Sequence, residues 1–344
     1  MRERIPKILV TGGAGFIGSA FVRLLIRDCP RRKLSAKEGK GTVPKVVVID
    51  KLTYAGDLKR LQEAKGKFKF YKADICDKKQ IEAIFAKEKP EIIVHFAAES
   101  HVDRSINDAT PFIETNVKGT QILLDAGRKY DVNKFIFLSS DEVYGEIADG
   151  KFNESSPVRP NSPYAASKAA ADLLVQSCIR TYKFPAMIIR PSNNYGPWQY
   201  PEKLIPLAIL RILGGDKIPV YGKGQNVREW LYVDDCAMGI LAIMNKGKIG
   251  QIYNLGSSQE SKNIDTVKLL LKTLGAGENR FEFVKDRLGH DIRYSLDSGK
   301  LRKKIGWKPG VKLAQGLKLT VDWSLKHKSW LKSKLKDINK LYNK

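Results

Sequence analysis

Six short apolar runs punctuate the first part of the chain, at 7–11, 45–50, 67–72, 92–96, 134–139 and 186–190, each followed by a polar residue or a turn. Between them, the apolar residues of 17–28, 57–64, 77–88, 111–130 and 164–182 recur at the spacing that gathers them on one helix face. Strands alternating with helices predict an α/β protein built on a doubly wound parallel sheet. The stretch 30–45, PRRKLSAKEGKGTVPK, has no such pattern and is predicted as a surface insertion before the second strand. Beyond Pro191 the alternation breaks into shorter elements and Gly/Pro turns. This predicts a smaller, loop-rich C-terminal region over the carboxyl ends of the strands, where ligands bind in such sheets. The predicted division is 1–190, with 230–255 returning to that unit, and 191–229 with 256–344 as the second region.

Composition narrows the function classes. At 344 residues with 42% hydrophobic side chains, the chain can bury a large core and is not of the disordered class. The formal charge of +24 asks for an anionic partner or for many solvated lysines. The basic residues are dispersed, and no helix-turn-helix, aromatic RNA-binding motif or zinc-finger spacing appears, so nucleic acid is not expected as a partner. The C-terminal stretch SLKHKSWLKSKLKDINKLYNK, with seven lysines and one acid, reads as an exposed amphipathic helix docked through Trp330 and Leu331. No apolar run approaches the ~20 residues of a membrane span. Met1-Arg2-Glu3-Arg4 leads directly into a strand, so the expected setting is cytoplasmic, with no membrane partner. Cys29, Cys76, Cys178 and Cys236 are scattered and His95, His101, His290 and His327 form no cluster with them. Free thiols and no metal site are expected.

Chemistry first becomes legible at Thr11-Gly12-Gly13-Ala14-Gly15-Phe16-Ile17-Gly18. Gly13, Gly15 and Gly18 fit G-x-G-x-x-G, and Gly12, Gly15 and Gly18 fit G-x-x-G-x-x-G. The run follows a predicted strand and opens a predicted helix, the context in which glycines let a backbone approach a pyrophosphate. Asp50 closes the second strand and can hold ribose hydroxyls. Its distance from the glycines exceeds the usual ~20 residues because 30–45 intervenes. An acid there disfavours a 2′-phosphate, so the expected cofactor is NAD on a Rossmann sheet. Asp74-Ile75, after the third strand, can face the adenine.

Tyr164 and Lys168 stand four apart at the start of an Ala-rich helix, which places them on one face. An ammonium there is expected to lower the phenol pKa and make Tyr164 a base near neutrality. Ser140 supplies a hydroxyl at the end of the fifth strand. Next to it stand two acids, Asp141 and Glu142, either a solvated loop start or a place where protons move.

Together with Asn116, these residues resemble the extended short-chain dehydrogenase/reductase family over most of residues 5–195. The stretch Ser140-Asp141-Glu142-Val143-Tyr144-Gly145 resembles the (Thr/Ser)-Asp-Glu motif of the dTDP-glucose 4,6-dehydratases, with serine where threonine is usual. DKLTYAG (50–56), AAESHVDRS (97–105), NNYGP (193–197), PEKLIP (201–206), NVREWLYVDD (226–235) and DRLGHDIRY (286–294) are similar to that family as well. The resemblance implies oxidation of a nucleotide-diphosphate sugar at C4, loss of water across C5 and C6, and reduction at C6, with NAD unchanged overall. It makes Tyr164 the base at the 4-hydroxyl, Lys168 its support and Ser140 the partner of the 4-oxygen. Glu142 becomes the C5 base and Asp141 the acid for the C6 hydroxyl.

Carried over by position, the resemblance assigns cofactor contacts to Gly12, Gly15, Phe16, Ile17 and Gly18, and to Asp50, Lys51, Leu52 and Thr53. Further contacts fall on Asp74, Ile75, Phe96, Ala97, Ala98, Glu99, Ser100, Thr115, Tyr164, Lys168 and Asn194. Substrate contacts fall on Ser100, Ser140, Asn193, Lys203, Leu204, Pro219, Tyr221, Arg228, Asn263, Asp286, Arg287 and His290. A homodimer through a four-helix bundle of 111–130 and 164–182 is implied too. Read from the residues, Arg228 could instead pair with Glu229, Asn263 could cap a helix, and His290 could be structural. The same chemistry on UDP-glucose, a nucleotide-sugar 4-epimerase and a non-catalytic NAD- or nucleic-acid-binding protein are the alternatives.

Overall fold

The computed structural model describes residues 6–28 and 44–334. In order, it contains β1 (Lys7–Thr11), α1 (Phe16–Asp28), β2 (Lys45–Asp50), a 3-10 turn (Leu58–Ala64), β3 (Phe68–Lys72), α2 (Lys78–Glu88) and β4 (Ile92–His95). Next come α3 (Val102–Asn107), α4 (Thr110–Phe112), a π-helical segment (Ile113–Lys118), α5 (Gly119–Lys129), β5 (Lys134–Leu138), a 3-10 turn (Asp141–Tyr144), α6 (Pro163–Tyr182) and β6 (Ala186–Pro191). The remainder holds β7 (Asn193–Tyr195), α7 (Leu204–Leu213), β8 (Ile218–Tyr221), β9 (Val227–Tyr232), α8 (Val233–Lys246), β10 (Ile252–Leu255) and β11 (Glu260–Lys262). It closes with α9 (Asn263–Leu274), β12 (Phe281–Val284), α10 (Gly299–Ile305), α11 (Leu313–Lys326) and α12 (Lys328–Ser333).

The main sheet has seven parallel strands in the order β3-β2-β1-β4-β5-β6-β10. Period-two alternation sends its apolar residues to two different layers. Ile8, Val10, Val46 and Val48 share a core with Phe21 and Leu25 of α1 and Ile240 of α8. Leu9, Val47, Ile49 and Ile93 share the other with Phe85, Leu123 and Ala171, from the helices on the opposite face. The strand order reverses between β1 and β4, the switch point where such sheets leave a crevice for a ligand. A separate core of Tyr195, Ile209, Trp230, Val267, Leu270 and Leu317 joins β7, α7, β9, α9 and α11.

Two expectations need amendment. The helix at 111–130 is interrupted by the π-helical segment, a distortion that sequence periodicity does not encode and that often marks functional sites. The basic C-terminal stretch is not one exposed helix: α11 stops at Lys326, and α12 sinks Trp330 and Leu331 to 5% and 1% exposure. Cys76, Cys178 and Cys236 are free thiols. The 30–45 insertion and Cys29 lie almost wholly or wholly outside the described residues, as does the chain after Lys334. Among the described residues no helix is long and apolar enough to cross a membrane, and no group of acids, cysteines and histidines is arranged for a metal.

Candidate active site

The glycine turn sits at the switch point. Gly12 has φ +67°, and a Cβ there would lie 2.5 Å from the Ala97 nitrogen. A Cβ on Gly18 would strike the Gly12 carbonyl, so the turn closes only without side chains. Gly12→Ala is expected to lose NAD binding by tenfold or more, since strain of about 1–3 kcal/mol falls on the turn itself. Calorimetric titration with NAD checks this. Asp50 Oδ2 accepts from the Ala14 N–H at 2.9 Å and Oδ1 from the Leu52 N–H at 2.8 Å. Each oxygen keeps a further lone pair for a hydroxyl. Burial raises the Asp50 carboxyl, opposed by those two backbone bonds.

A groove opens beside this turn. Gly12, Gly15, Asp50, Lys51, Thr53, Asp74, Ile75, Phe96, Ala97, Ala98, Glu99 and Thr115, all expected at the cofactor, line it. Phe16, Ile17 and Gly18 open α1 at its edge, and Leu52 lies between two lining residues at φ 56°. Lys51 pairs with Asp74 at 2.6 Å. Asn116 fixes the far wall: its Oδ1 accepts from the Glu99 N–H at 2.8 Å, and its Nδ2 donates to the Glu99 carbonyl and Ser167 Oγ. The π-helical segment thus turns Thr115 and Asn116 toward the groove. These donors, the close backbone and the strand-end carboxylate fit a dinucleotide.

Beyond the carboxyl ends of β5 and β6 lies the polar cluster. Ser140 caps the 3-10 turn that carries Asp141 and Glu142 by accepting from the Glu142 N–H at 3.2 Å. Asp141 is 2% exposed, and its Oδ2 has no hydrogen-bond partner among the described residues. Burial, then Glu142 and Glu229, push its carboxyl well above the ordinary range. Glu142 is raised by burial too, but Arg287, Lys203 and Arg228 all act to lower it. The two acids are therefore held apart in proton affinity, which is how adjacent carboxyls take opposite roles.

Lys168 is buried, which lowers its ammonium to about 8 against the opposing charge of Asp172. Its Nζ donates to the Leu138 carbonyl at 2.6 Å. Tyr164 departs from expectation. Burial and the charge of Glu142 raise its phenol, against the Ser140 hydrogen bond that lowers it. The spacing correctly placed both side chains on one buried helix face; desolvation, which spacing does not reveal, governs the phenol.

Cations converge from the second region. Arg228 is 5% exposed and lies 4.4 Å from the Tyr294 ring, donating to the Val227 and Asp291 carbonyls. It does not pair with Glu229, whose carboxylate turns away to the Ser258 and Leu296 amides. Arg287 meets Asp103 at 3.4 Å, Tyr221 donates to the same carboxylate, and Lys203 Nζ donates to the Ser100 carbonyl at 2.9 Å. His290 bonds Asp286 at 2.6 Å and stands 6.0 Å from the Tyr221 ring. Leu204 opens α7 next to Lys203, and Asn263 opens α9 without capping it. Asn193, Asn194 and Asn263 each keep a buried side-chain oxygen with no hydrogen-bond partner among the described residues. Pro219 lies apart, lining a surface cleft with Arg211, Asp216, Lys217 and Glu282.

Two participants escaped the sequence reading. Ser105 Oγ accepts from the Tyr164 N–H at 3.1 Å, steering the helix start. Asp291 accepts from Asn161 at 2.5 Å and from the Tyr294 hydroxyl, bracing Arg228 from below. Both residues fall within stretches that resemble the dehydratases, but no periodicity or spacing singles them out.

A doubly wound sheet carrying a glycine turn, a strand-end aspartate and a buried Ser-Tyr-Lys set defines an extended short-chain dehydrogenase/reductase. Residues 9–320 match the family model described as GDP-mannose 4,6 dehydratase, and the chain belongs to that family of nucleotide-sugar 4,6-dehydratases. It is 45% identical to the dTDP-glucose 4,6-dehydratase of Neisseria meningitidis, over 94% of each chain. The solved DesIV, a dTDP-glucose 4,6-dehydratase of Streptomyces venezuelae with NAD and dTDP bound, superposes with TM-score 0.89 at 45% identity, covering 95% of this chain and 99% of that one. A Thermotoga maritima UDP-glucose 4-epimerase also superposes, with TM-score 0.84 at 32% identity over 93% and 99%. The fold alone therefore does not separate dehydration from epimerisation.

Proposed function

We propose that this chain dehydrates dTDP-glucose to dTDP-4-keto-6-deoxyglucose with tightly held NAD. The observation that carries the reading is the unequal acid pair: burial and two neighbouring acids push Asp141 well above the ordinary carboxylate range, whereas the rise that burial gives Glu142 is opposed by three cations. An epimerase, which breaks and remakes one C–H bond at C4, has no use for that pair. When bound, NAD supplies the chemistry of accepting a hydride from C4 and returning it to C6.

The protein's own side chains do the rest. Tyr164 takes the 4-hydroxyl proton while Ser140 hydrogen-bonds the oxygen. Its phenol, raised in the free protein, needs the positive charge of Lys168 and of the bound nicotinamide to act as a base near neutrality. The C4 ketone acidifies the C5 proton, which Glu142 removes. Asp141, holding its proton in a dry site, passes it to the departing C6 hydroxyl, and water leaves; C5 regains a proton, from Glu142 after exchange with solvent, as C6 is reduced. Arg228, Arg287 and Lys203 are suited to a diphosphate, the arginines by bidentate hydrogen bonding. Asn193, Asn263, Asp286 and His290 complete the nucleotide subsite in this proposal.

Residues 191–229 and 256–344 carry most of that subsite. A homodimer is part of the same reading. Ile113 and Leu173, 55% and 53% exposed, sit on the two neighbouring helical stretches that would pair across a two-fold axis.

Incubation with dTDP-glucose or UDP-glucose in deuterated water tests the reaction. The expected result is loss of water, one deuterium at C5, no net NADH, and faster turnover of the thymidine nucleotide. Inversion at C4 without water loss would instead make the protein an epimerase.

A further inference from the structure

We infer that α12 is a cofactor-positioning clasp: Trp330, acting through Asp57 and Arg60, holds the backbone of the glycine turn in the shape that receives the dinucleotide. This rests on the NAD reading above and extends it to residues remote from the reacting atoms.

Arg60 is 1% exposed. Its hydrogen bonds go to backbone carbonyls and to no carboxylate. Nε donates to Trp198 at 3.0 Å, and Nη1 donates to Ala14 at 2.9 Å and also to Ala55. Ala14 is the middle residue of Gly13-Ala14-Gly15. Its carbonyl also accepts from the Asp57 N–H at 3.0 Å, and its own N–H is the one held by Asp50. Both polar backbone atoms of the turn's central residue are thus fixed.

Asp57 joins this point to the C-terminus. One oxygen caps the 3-10 turn through the Lys59 N–H at 2.9 Å; the other accepts from Trp330 Nε1 at 2.8 Å and pairs with Lys334 at 3.2 Å. The Trp330 ring lies 5.4 Å from the Arg60 guanidinium carbon and packs edge-on against Trp198 and Trp323. Trp198 has φ 70°, a left-handed conformation uncommon for a bulky residue, and its carbonyl is one of the three that Arg60 holds.

Apolar docking of Trp330 and Leu331 would suffice to seat a helix. Here the Trp330 indole N–H is held by Asp57, whose own N–H binds the Ala14 carbonyl of the glycine turn. A turn already set in its binding shape avoids the ordering cost that a loose one meets on binding. A reaction with no net redox change needs the same dinucleotide for both of its halves, so retention has a direct use.

The test measures NAD affinity of the stripped protein by calorimetry, NAD release by stopped flow, and kcat at saturating NAD. Trp330→Phe keeps the ring and removes the N–H to Asp57; Arg60→Met removes the carbonyl clamp. Leu210→Ala, in the same apolar cluster but with no link to the turn, controls for general destabilisation. Expected losses of NAD affinity are about threefold for Trp330→Phe and tenfold or more for Arg60→Met, mostly as faster release, with kcat within about twofold. Leu210→Ala is expected to lower Tm while leaving NAD affinity within about twofold. Wild-type affinity in Trp330→Phe overturns the clasp even if Arg60→Met fails to fold. So does an equal loss in Leu210→Ala. Absence of NAD binding by the wild-type chain overturns the cofactor reading and the clasp with it.

Discussion

Glu142→Gln is expected to lower the rate of water loss by about 10²–10⁴ while leaving oxidation at C4 in place, because a positioned general base contributes that much. Reduced nicotinamide should then accumulate on the enzyme, and C5 should take up no deuterium from solvent. Asp141→Asn should differ in one respect: C5 exchange continues, since Glu142 still works, but elimination stalls for want of an acid at the C6 hydroxyl. Tyr164→Phe, by contrast, should show neither reduced nicotinamide nor exchange. Identical behaviour of the two acid variants would sink the division of labour. The pair also has a stability signature. In the folded chain the Asp141 carboxyl is raised far above its unfolded value, so ionising it opposes folding. Below the ordinary carboxylate range both states are protonated and nothing is lost. As pH rises toward the folded value, the wild type loses stability that Asp141→Asn keeps. The variant's Tm should thus match the wild type near pH 4 and exceed it by a few degrees near neutrality, by scanning calorimetry.

Removing Asp172 should be the most damaging single change to the fold. Its carboxylate, fully buried, holds Arg190 through two bonds of 2.9 Å, and Arg190 itself is 1% exposed. Asp172→Ala would leave that guanidinium uncompensated in the interior, at a cost of about 3–5 kcal/mol. Replacing both residues with well-packed apolar side chains should recover most of the stability. It should not recover the pH profile. Asp172 is the charge that opposes the desolvation of Lys168, whose ammonium stands at about 8. Without it Lys168 loses its proton at lower pH, and support for the Tyr164 phenolate is lost from the alkaline side inward. An unshifted alkaline limb in the double variant would show that Asp172 acts on stability alone.

Most of the strand pattern was readable in advance because each strand of this sheet is an apolar run stopped by a polar residue. β1 and β2 carry their predicted bounds, β3 to β6 differ by a residue at an end, and β10 has no strand predicted for it. Asp50 was legible for the same reason: a carboxylate at a strand end has few uses other than hydroxyl binding or a turn. Tyr164 and Lys168 were placed by helix geometry, but the direction in which the phenol titrates depends on water exclusion by residues far away in sequence. Ser105 and Asp291 act through contacts spanning 59 and 130 residues, to Tyr164 and Asn161, which no local pattern records. The π-helical turn at Ile113–Lys118 was invisible because it changes the backbone register, while the hydrophobic spacing on either side still reads as one helix.

The position of β10 bears on how the chain reaches its native state. This strand covers the outer edge of β6, yet the sixty residues 192–251, including α7, β8, β9 and α8, are made between the two. Until residue 255 leaves the ribosome, β6 presents a row of unpaired amides and carbonyls along a strand whose every residue is buried in the finished fold. The sheet that binds the dinucleotide is therefore not a unit that an N-terminal fragment can complete. Its last edge closes only after most of the substrate-facing elements have been synthesised, so the long-range pairing of β6 with β10 is a late and aggregation-exposed step in folding.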